Sequence, residues 1–175
     1  MGSHRTNLKS NYSKAGMASA AGKNIAPKAN WPGILCDAAS EVFSMMVGSQ
    51  FTLPAGTESP LVANVTGTVG IAGALRAVFS LRCSAQTAAK IASRMLAIPL
   101  EAAASQSCDA IGEICNMVAG SFKAKVGLEA ECMLSVPTVI TGSDYRVHSL
   151  AEGERLEIPI LYDGELILIA LDIRK

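Results

Sequence analysis

One segment of this chain, residues 109–122, constrains the fold most strongly because its apolar and polar residues fall on opposite sides of a helix. The apolar side has the spacing of a helix packed on a core and consists of Ile111, Ile114, Cys115, Val118 and Phe122. The other side is a stripe at i, i+4, i+7 and i+11, formed by Asp109, Glu113, Asn116 and Gly120. A carboxylate and a carboxamide held one turn apart on a helix can orient a water molecule or bind a partner protein. The nearby glycine has no side chain, so it leaves this surface accessible. An ordinary solvated face has the same spacing, so both interpretations stay open on spacing alone.

A weak internal repeat predicts how this helix is placed. Asp37-x3-Glu41-x2-Ser44, followed by Gly48, copies the stripe with an offset of 72 residues. Each copy begins a block that continues into strand-like sequence. The duplication predicts two long helices lying side by side on one sheet, in two halves related by pseudo-twofold symmetry.

The order of the predicted elements favours an α+β fold with an antiparallel sheet, because the alternation of parallel βαβ units is absent. Ser84 is a good N-cap, Gly48 suits a helix C-terminus, and Pro99 is expected to stop the second helix. Gly70–Gly73 and Asp163–Gly164 are turn signals. The predicted helices are 32–48, 85–96 and a third that starts at 100 or 104 and ends at 126. The predicted strands are 61–70, 72–82, 130–139, 144–150, 155–162 and 165–173.

Composition divides the chain into a tail and a body. Residues 1–28 are predicted to be a flexible basic tail, and the opening Met-Gly-Ser-His is typical of an expression-tag remnant. Residues 29–175 are predicted to form a single domain with halves of about 29–98 and 99–175. Residues 1–30 hold five of the fifteen Lys/Arg and no acid, so the remainder has a net charge of about −5. The tail charges are scattered and Tyr12 is the single aromatic residue among them, which argues against nucleic acid or anionic lipid as a partner.

Several classes of protein are excluded by what the sequence lacks. No apolar run approaches the roughly 18–20 residues of a membrane span. The five cysteines are odd in number and never form a C-x-x-C, which indicates reduced thiols and a cytoplasmic location and argues against a zinc site. With only two histidines, a multi-histidine metal site is excluded. The sequence has no glycine-rich phosphate-binding loop at the start of a predicted helix, which argues against a nucleotide-binding site of that type.

The stripe resembles the signature of a known family. Asp109-x3-Glu113-x2-Asn116 and the later Pro137 are similar to the pattern of the CheC/CheX/FliY family of chemotaxis phosphatases, which remove phosphate from the response regulator CheY. The resemblance covers most of the chain and implies a CheC/CheX-like fold. It also implies that Asn116 orients the attacking water, that Glu113 pairs with an active-site lysine of the partner, and that Gly120 belongs to the same motif.

The first copy of the repeat departs from this pattern. Ser44 stands where the family has asparagine, and its hydroxyl is too short to reach where an amide would. We therefore expect Glu41 and Ser44 to form a degenerate, inactive second site, with Glu41 as a solvated helix residue. A single intact motif resembles the CheX branch, whose members are commonly homodimers formed through the sheet. The apolar strand 165–173 is a candidate edge for such a contact.

The roles of several neighbouring residues stay open at this point. Asp109 either hydrogen-bonds locally and orients Glu113, or is an ordinary polar residue of the first helical turns. Lys123 and Lys125 either complement the helix dipole or meet an acidic receiver surface. Pro137 is expected to shape the strand or turn beside the helix.

We interpret the sequence as a protein aspartyl-phosphate phosphatase that acts on a CheY-like receiver in chemotaxis or related two-component signalling. No cofactor or metal is expected on this chain, and Mg²⁺ is expected on the partner receiver. The alternative interpretation is a non-catalytic receiver-binding or flagellar-switch-type interaction module. The intact Glu113/Asn116 pair favours catalysis, because a pure binder has no need of it.

Overall fold

One six-stranded antiparallel sheet organises the molecule, whose computed structural model describes residues 25–56, 61–143, 145 and 153–174. Its strands are β1 (Val65–Gly73), β2 (Ala77–Cys83), β3 (Cys132–Leu134), β4 (Thr138–Thr141), β5 (Gly153–Tyr162) and β6 (Glu165–Arg174). The strand order is β3–β1–β2–β6–β5, and β4 also pairs with β1. The short strands β3 and β4 therefore share one neighbour, with β3 beside residues 71–73 and β4 beside residues 65–68.

Four helices accompany the sheet, and their ends follow local sequence signals. The helices are α1 (Trp31–Val42), α2 (Ala85–Leu96), α3 (Leu100–Ala103) and α4 (Ser107–Lys125). The first helix continues into a π-helical turn and ends at Gly48, whose φ is 66°. The second begins at the predicted cap, where the Thr87 amide donates to Ser84 Oγ at 3.0 Å. None of the described helices is long and apolar enough to cross a bilayer.

The helices α1 and α4 lie next to each other in the helical layer, as the repeat predicts. The Trp31 ring of α1 meets the Phe122 ring of α4 edge-on, with 5.7 Å between their centroids. The predicted apolar face of α4 is fully buried in the core that the helices share with the sheet. The predicted α+β fold with helices on an antiparallel sheet is therefore confirmed.

A glycine sets the distance between α4 and the sheet. A Cβ atom added at Gly67 of β1 would lie 2.5 Å from Cys115 Sγ and 2.8 Å from Ile111 Cγ2. Both of these α4 side chains are completely buried. The helix can approach the strand this closely only because residue 67 has no side chain.

Two predicted strand boundaries are wrong. The hairpin turn lies at residues 74–76 instead of Gly70–Gly73, because β1 continues through Gly73 to pair with β3. The predicted strand 130–139 is two strands separated at residues 135–137. There Ser135 Oγ accepts a hydrogen bond from the Gly70 amide at 2.9 Å. Pro137 has no amide hydrogen, so it cannot donate a hydrogen bond to a neighbouring strand. The predicted strand 144–150 lies outside the described residues apart from Tyr145.

Other predicted boundaries are partly correct. The second helix is 85–96 as predicted, but it ends because Ala97 adopts a left-handed conformation, whereas Pro99 precedes α3. The third predicted helix is divided into α3, a 3₁₀ turn at residues 104–106, and α4. The Asp163–Gly164 turn is confirmed, with both residues at positive φ.

The expected sheet edge is also corrected. Strand β6 is an inner strand because it pairs with β2 on one side and with β5 on the other. The edge strand on this side of the sheet is β5, which carries Pro159 and is bridged at Leu161 by Thr52. Proline and a short capping bridge both reduce the capacity of an edge to pair with another chain.

The start of the body differs slightly from the sequence expectation. Residues 25–28 were assigned to the tail, yet the Ala26 amide donates to the Val126 carbonyl at 3.1 Å. The Trp31 indole in turn donates to the Ala26 carbonyl at 2.9 Å. The rest of the predicted tail, residues 1–24, lies outside the described residues.

We expect Gly67→Ala to destabilise the protein by about 1–3 kcal/mol, because the added methyl group overpacks the α4–β1 contact. Urea denaturation followed by circular dichroism would measure this loss. Gly70→Ala is a matched control on the opposite face of the same strand, where an added Cβ would lie 3.4 Å from Ser135 Oγ. Equal stability of the two variants would contradict the proposed close contact.

Candidate functional site

The predicted stripe lies on the outer face of α4. Asp109 and Glu113 are exposed, while Asn116 and Gly120 are half-buried. The opposite face of the helix is fully buried against the sheet. Rotation of α4 about its own axis is therefore restricted, and the four stripe residues point away from the core together.

One flank of the stripe is the segment that contains β3 and β4. Lys123 Nζ donates to the Cys132 carbonyl at 2.7 Å, which joins the end of α4 to the start of β3. A Cβ at Gly120 would lie 3.8 Å from Leu134 Cδ1, and a Cβ at Gly112 would lie 3.5 Å from Pro137 Cβ. The segment thus runs beside α4 from Gly120 back to Gly112.

The other flank is α1, which is held to α4 by a charged contact. Glu41 Oε2 accepts from Ser121 Oγ at 3.0 Å and pairs with Lys125 Nζ at 3.1 Å. The hydrogen bonds from Lys125 and Ser121 lower the pKa of the Glu41 carboxyl below its ordinary value. Both lysines of the last turn of α4 are therefore engaged within the chain, in contacts that the sequence did not predict.

A shallow groove of about 330 Å³ opens beside the acidic end of the stripe. It is lined by Cys108, Asp109, Gly112, Glu113, Pro137 and Val139. Pro137 shapes this groove from the flank, as the sequence predicted for the surroundings of the helix. Asn116 lies one turn further along α4, outside the groove lining.

The groove depends on Gly112, which sequence reasoning missed. Gly112 is buried directly before Glu113, and a side chain larger than methyl there would collide with Pro137 or Val139. The signal was available, because glycine inside a helix costs stability and usually has a packing or functional reason. What the sequence did not contain is the identity of the residues packed against it.

The polar side chains of the stripe have no polar partner among the described residues. Within the described part of the chain, Asp109, Glu113 and Asn116 make no side-chain hydrogen bond or ion pair. The hypothesis that Asp109 orients Glu113 by a direct hydrogen bond therefore has no support in this structure. A carboxylate and an amide without internal partners are available to bind a second molecule.

The first copy of the stripe has a different environment. Ser44 is exposed, but it lies in the π-helical turn 43–47, whose wider winding changes the direction of its side chains relative to Glu41. Glu41 is exposed as expected of a solvated helix residue, yet its carboxylate is already bound by Ser121 and Lys125. The two copies thus share spacing and differ in local structure and pairing.

No group of three or more His, Cys, Asp or Glu side chains is arranged to hold a metal ion among residues 25–56, 61–143, 145 and 153–174. The buried cysteines are also poor nucleophiles. Burial raises the pKa of the Cys83 thiol to about 12 and raises the pKa of the Cys115 thiol as well. These two buried thiols are therefore poor candidates for the chemistry of the site.

Comparison with known proteins identifies the family. The family model described as chemotaxis phosphatase CheX matches residues 65–161, more than half of the chain. The chain belongs to the CheX family. The match includes the stripe, Pro137 and four complete strands of the sheet. No curated protein sequence matches the chain.

Solved structures of CheX-type proteins have the same fold. The chemotaxis protein CheX of Vibrio vulnificus is 21% identical, with a TM-score of 0.69 over 85% of this chain and 99% of that one. The CheX in a CheX–CheY–BeF₃–Mg²⁺ complex from Borrelia burgdorferi is 24% identical, with a TM-score of 0.67 over 83% and 98%. Thermotoga maritima FliY is 17% identical, with a TM-score of 0.59 over 82% and 86%.

We expect Glu41→Gln to destabilise the protein at neutral pH, because it removes the charge that holds Ser121 and Lys125. The lowered pKa means that the carboxylate contributes stability above its ordinary value of 4.5 and loses this contribution as pH falls through the folded pKa. Urea denaturation at neutral pH and in acid well below that value would measure the difference. Glu101→Gln, at an exposed glutamate of α3, is the matched control. A difference between wild type and Glu41→Gln that persists unchanged in acid would contradict the ion pair.

Proposed function

We propose that this protein hydrolyses the aspartyl phosphate of a CheY-like receiver domain in chemotaxis or related two-component signalling. The observation that carries the proposal is the unpartnered Glu113/Asn116 pair on the outer face of α4, in a chain that belongs to the CheX family. The similar CheX of Borrelia burgdorferi has been crystallised with CheY, BeF₃ and Mg²⁺.

The chemistry requires little from the phosphatase beyond placing a water molecule. An acyl phosphate is already activated, so the main task is to hold the attacking water in line with the bond that breaks. The Asn116 carbonyl accepts a hydrogen bond from that water, while its NH₂ group donates to a phosphoryl oxygen. Because the amide is neutral, it approaches the phosphoryl group without the repulsion that a carboxylate would meet there.

Glu113 has a separate role in this proposal. Its exposed carboxylate pairs with a cationic side chain at the partner's active site, in a charge-assisted hydrogen bond. Residues 113 and 116 are one helical turn apart, so this bond fixes the amide over the phosphoryl group. Because α4 is packed rigidly on the sheet, the Asn116 amide has the same position each time that a receiver binds.

Mg²⁺ is assigned to the partner in this proposal. Mg²⁺ requires near-octahedral coordination by oxygen and is usually held by carboxylates together with phosphate oxygens. A receiver domain that carries the phosphoryl group can supply both. We propose a cytoplasmic location for the reaction, in line with the unpaired cysteines.

We expect Asn116→Ala to reduce the rate of receiver dephosphorylation by about 100-fold, because the attacking water loses its orientation. The measurement is the decay of aspartyl phosphate on the host's candidate receivers with catalytic amounts of protein. Asn30→Ala is the matched control, since Asn30 is an exposed amide outside the stripe. Full activity of Asn116→Ala would contradict the mechanism.

The same assay distinguishes catalysis from the alternative function. A non-catalytic receiver-binding module, or a component of the flagellar switch, would bind a phosphorylated receiver and leave its rate of decay unchanged. The observation that favours this alternative is the exposed acidic groove at Asp109 and Glu113, which also suits binding without catalysis. Accelerated decay with wild type and none with Asn116→Ala would exclude it.

The homodimer implied by the resemblance stays a prediction. Strand β6 is paired on both sides, so it is not available as the sheet edge for a dimer contact. We expect a mass of twice 18.2 kDa in light scattering at micromolar concentration. A monomer mass under the same conditions would contradict this expectation.

A further inference from the structure

An exposed apolar side chain lies in the flank beside the stripe. Val136 is 84% exposed, the largest value among the exposed large apolar residues of the described chain. Single exposed apolar residues are common on protein surfaces and need no explanation by themselves. Val136 differs from the others in its position and in the way its backbone is held.

Two contacts of the flank place Val136 level with Asn116 along α4. The flank contacts α4 at two points, Gly120 with Leu134 and Gly112 with Pro137. The eight residue-to-residue steps from Gly112 to Gly120 span about 12 Å of helix, and the three steps from Leu134 to Pro137 span about 10 Å of extended chain. The two segments therefore run in opposite directions over the same length. The midpoint of the helical segment is Asn116, and residues 135–136 occupy the middle of the other.

The backbone around Val136 is fixed from three directions. The Ser135 amide donates to the Gly70 carbonyl at 2.9 Å, and the Gly70 amide donates to Ser135 Oγ at 2.9 Å. Ser135 Oγ in turn donates to the Val136 carbonyl at 3.0 Å. Pro137 follows, with its φ restricted by its ring and its Cβ against Gly112. An apolar side chain held in this way loses little conformational entropy when a partner covers it.

The charges around Val136 indicate what kind of surface would cover it. The stripe presents the carboxylates of Asp109 and Glu113, whereas Lys123 and Lys125 are bound within the chain. A complementary partner therefore carries a cationic side chain close to its reacting centre and an apolar recess beside it.

We propose that Val136 is a docking residue for the phosphorylated receiver and enters an apolar recess next to the receiver's active site. This inference rests on the proposed function and adds a second contact to it. Glu113 and Val136 then bind the partner on either side of Asn116, and Glu113 alone fixes the position of the amide. Val136 acts through binding and does not touch the reacting atoms.

Binding measured apart from turnover tests this role. The probe is a CheY-like receiver from the same cell, loaded with beryllofluoride and Mg²⁺ so that no hydrolysis occurs, and titrated by isothermal calorimetry. We expect Val136→Ser to weaken binding about tenfold, as is usual for a buried interface anchor. Val136→Ile should retain affinity. Leu53→Ser is the control, because Leu53 is 62% exposed beside the opposite edge of the sheet.

Turnover distinguishes docking from catalysis. We expect Val136→Ser to raise KM about tenfold with kcat unchanged, whereas Asn116→Ala lowers kcat. Wild-type affinity in Val136→Ser would overturn the docking role and leave the proposed function standing. Absence of binding to every loaded receiver by the wild-type protein would overturn both. An equal loss of affinity in Val136→Ser and Leu53→Ser would also overturn the docking role, because the effect would not be local.

Discussion

The close packing of α4 on β1 is the constraint on which the rest of the structure depends. Gly67 leaves no side chain between them at this point, so Ile111 and Cys115 are buried directly on the strand. Turning the helix by one residue, about 100°, would expose this face and bury Glu113 without a partner. The outward direction of the stripe is thus a consequence of core packing.

The two flanks hold the lysine side chains at the end of α4 in contacts within the protein. Lys125 binds Glu41 of α1, and Lys123 binds the Cys132 carbonyl at the start of β3. The first half of the repeat contributes this structural contact where the second half has an available carboxylate. The two copies of the repeat therefore differ in use, since Glu41 supports the helix pair and Glu113 faces solvent.

Features encoded by neighbouring residues could be predicted from the sequence, and features that depend on distant pairing could not. The start of α2 follows from Ser84, and the β5–β6 turn follows from Asp163 and Gly164. The break at residues 135–137 depends on Ser135 bonding to Gly70, which is 65 residues away. The stripe could likewise be recognised from helical spacing, whereas its contact with Pro137 arises only when the sheet brings β4 beside α4.

The most direct test of the account is a crystal structure of this protein bound to a receiver loaded with beryllofluoride and Mg²⁺. The account predicts that the Asn116 amide lies within hydrogen-bond distance of a water molecule in line with the beryllium atom. It also predicts that Glu113 contacts a cationic side chain of the receiver. A complex in which the receiver binds elsewhere, with the outer face of α4 open to solvent, would contradict it.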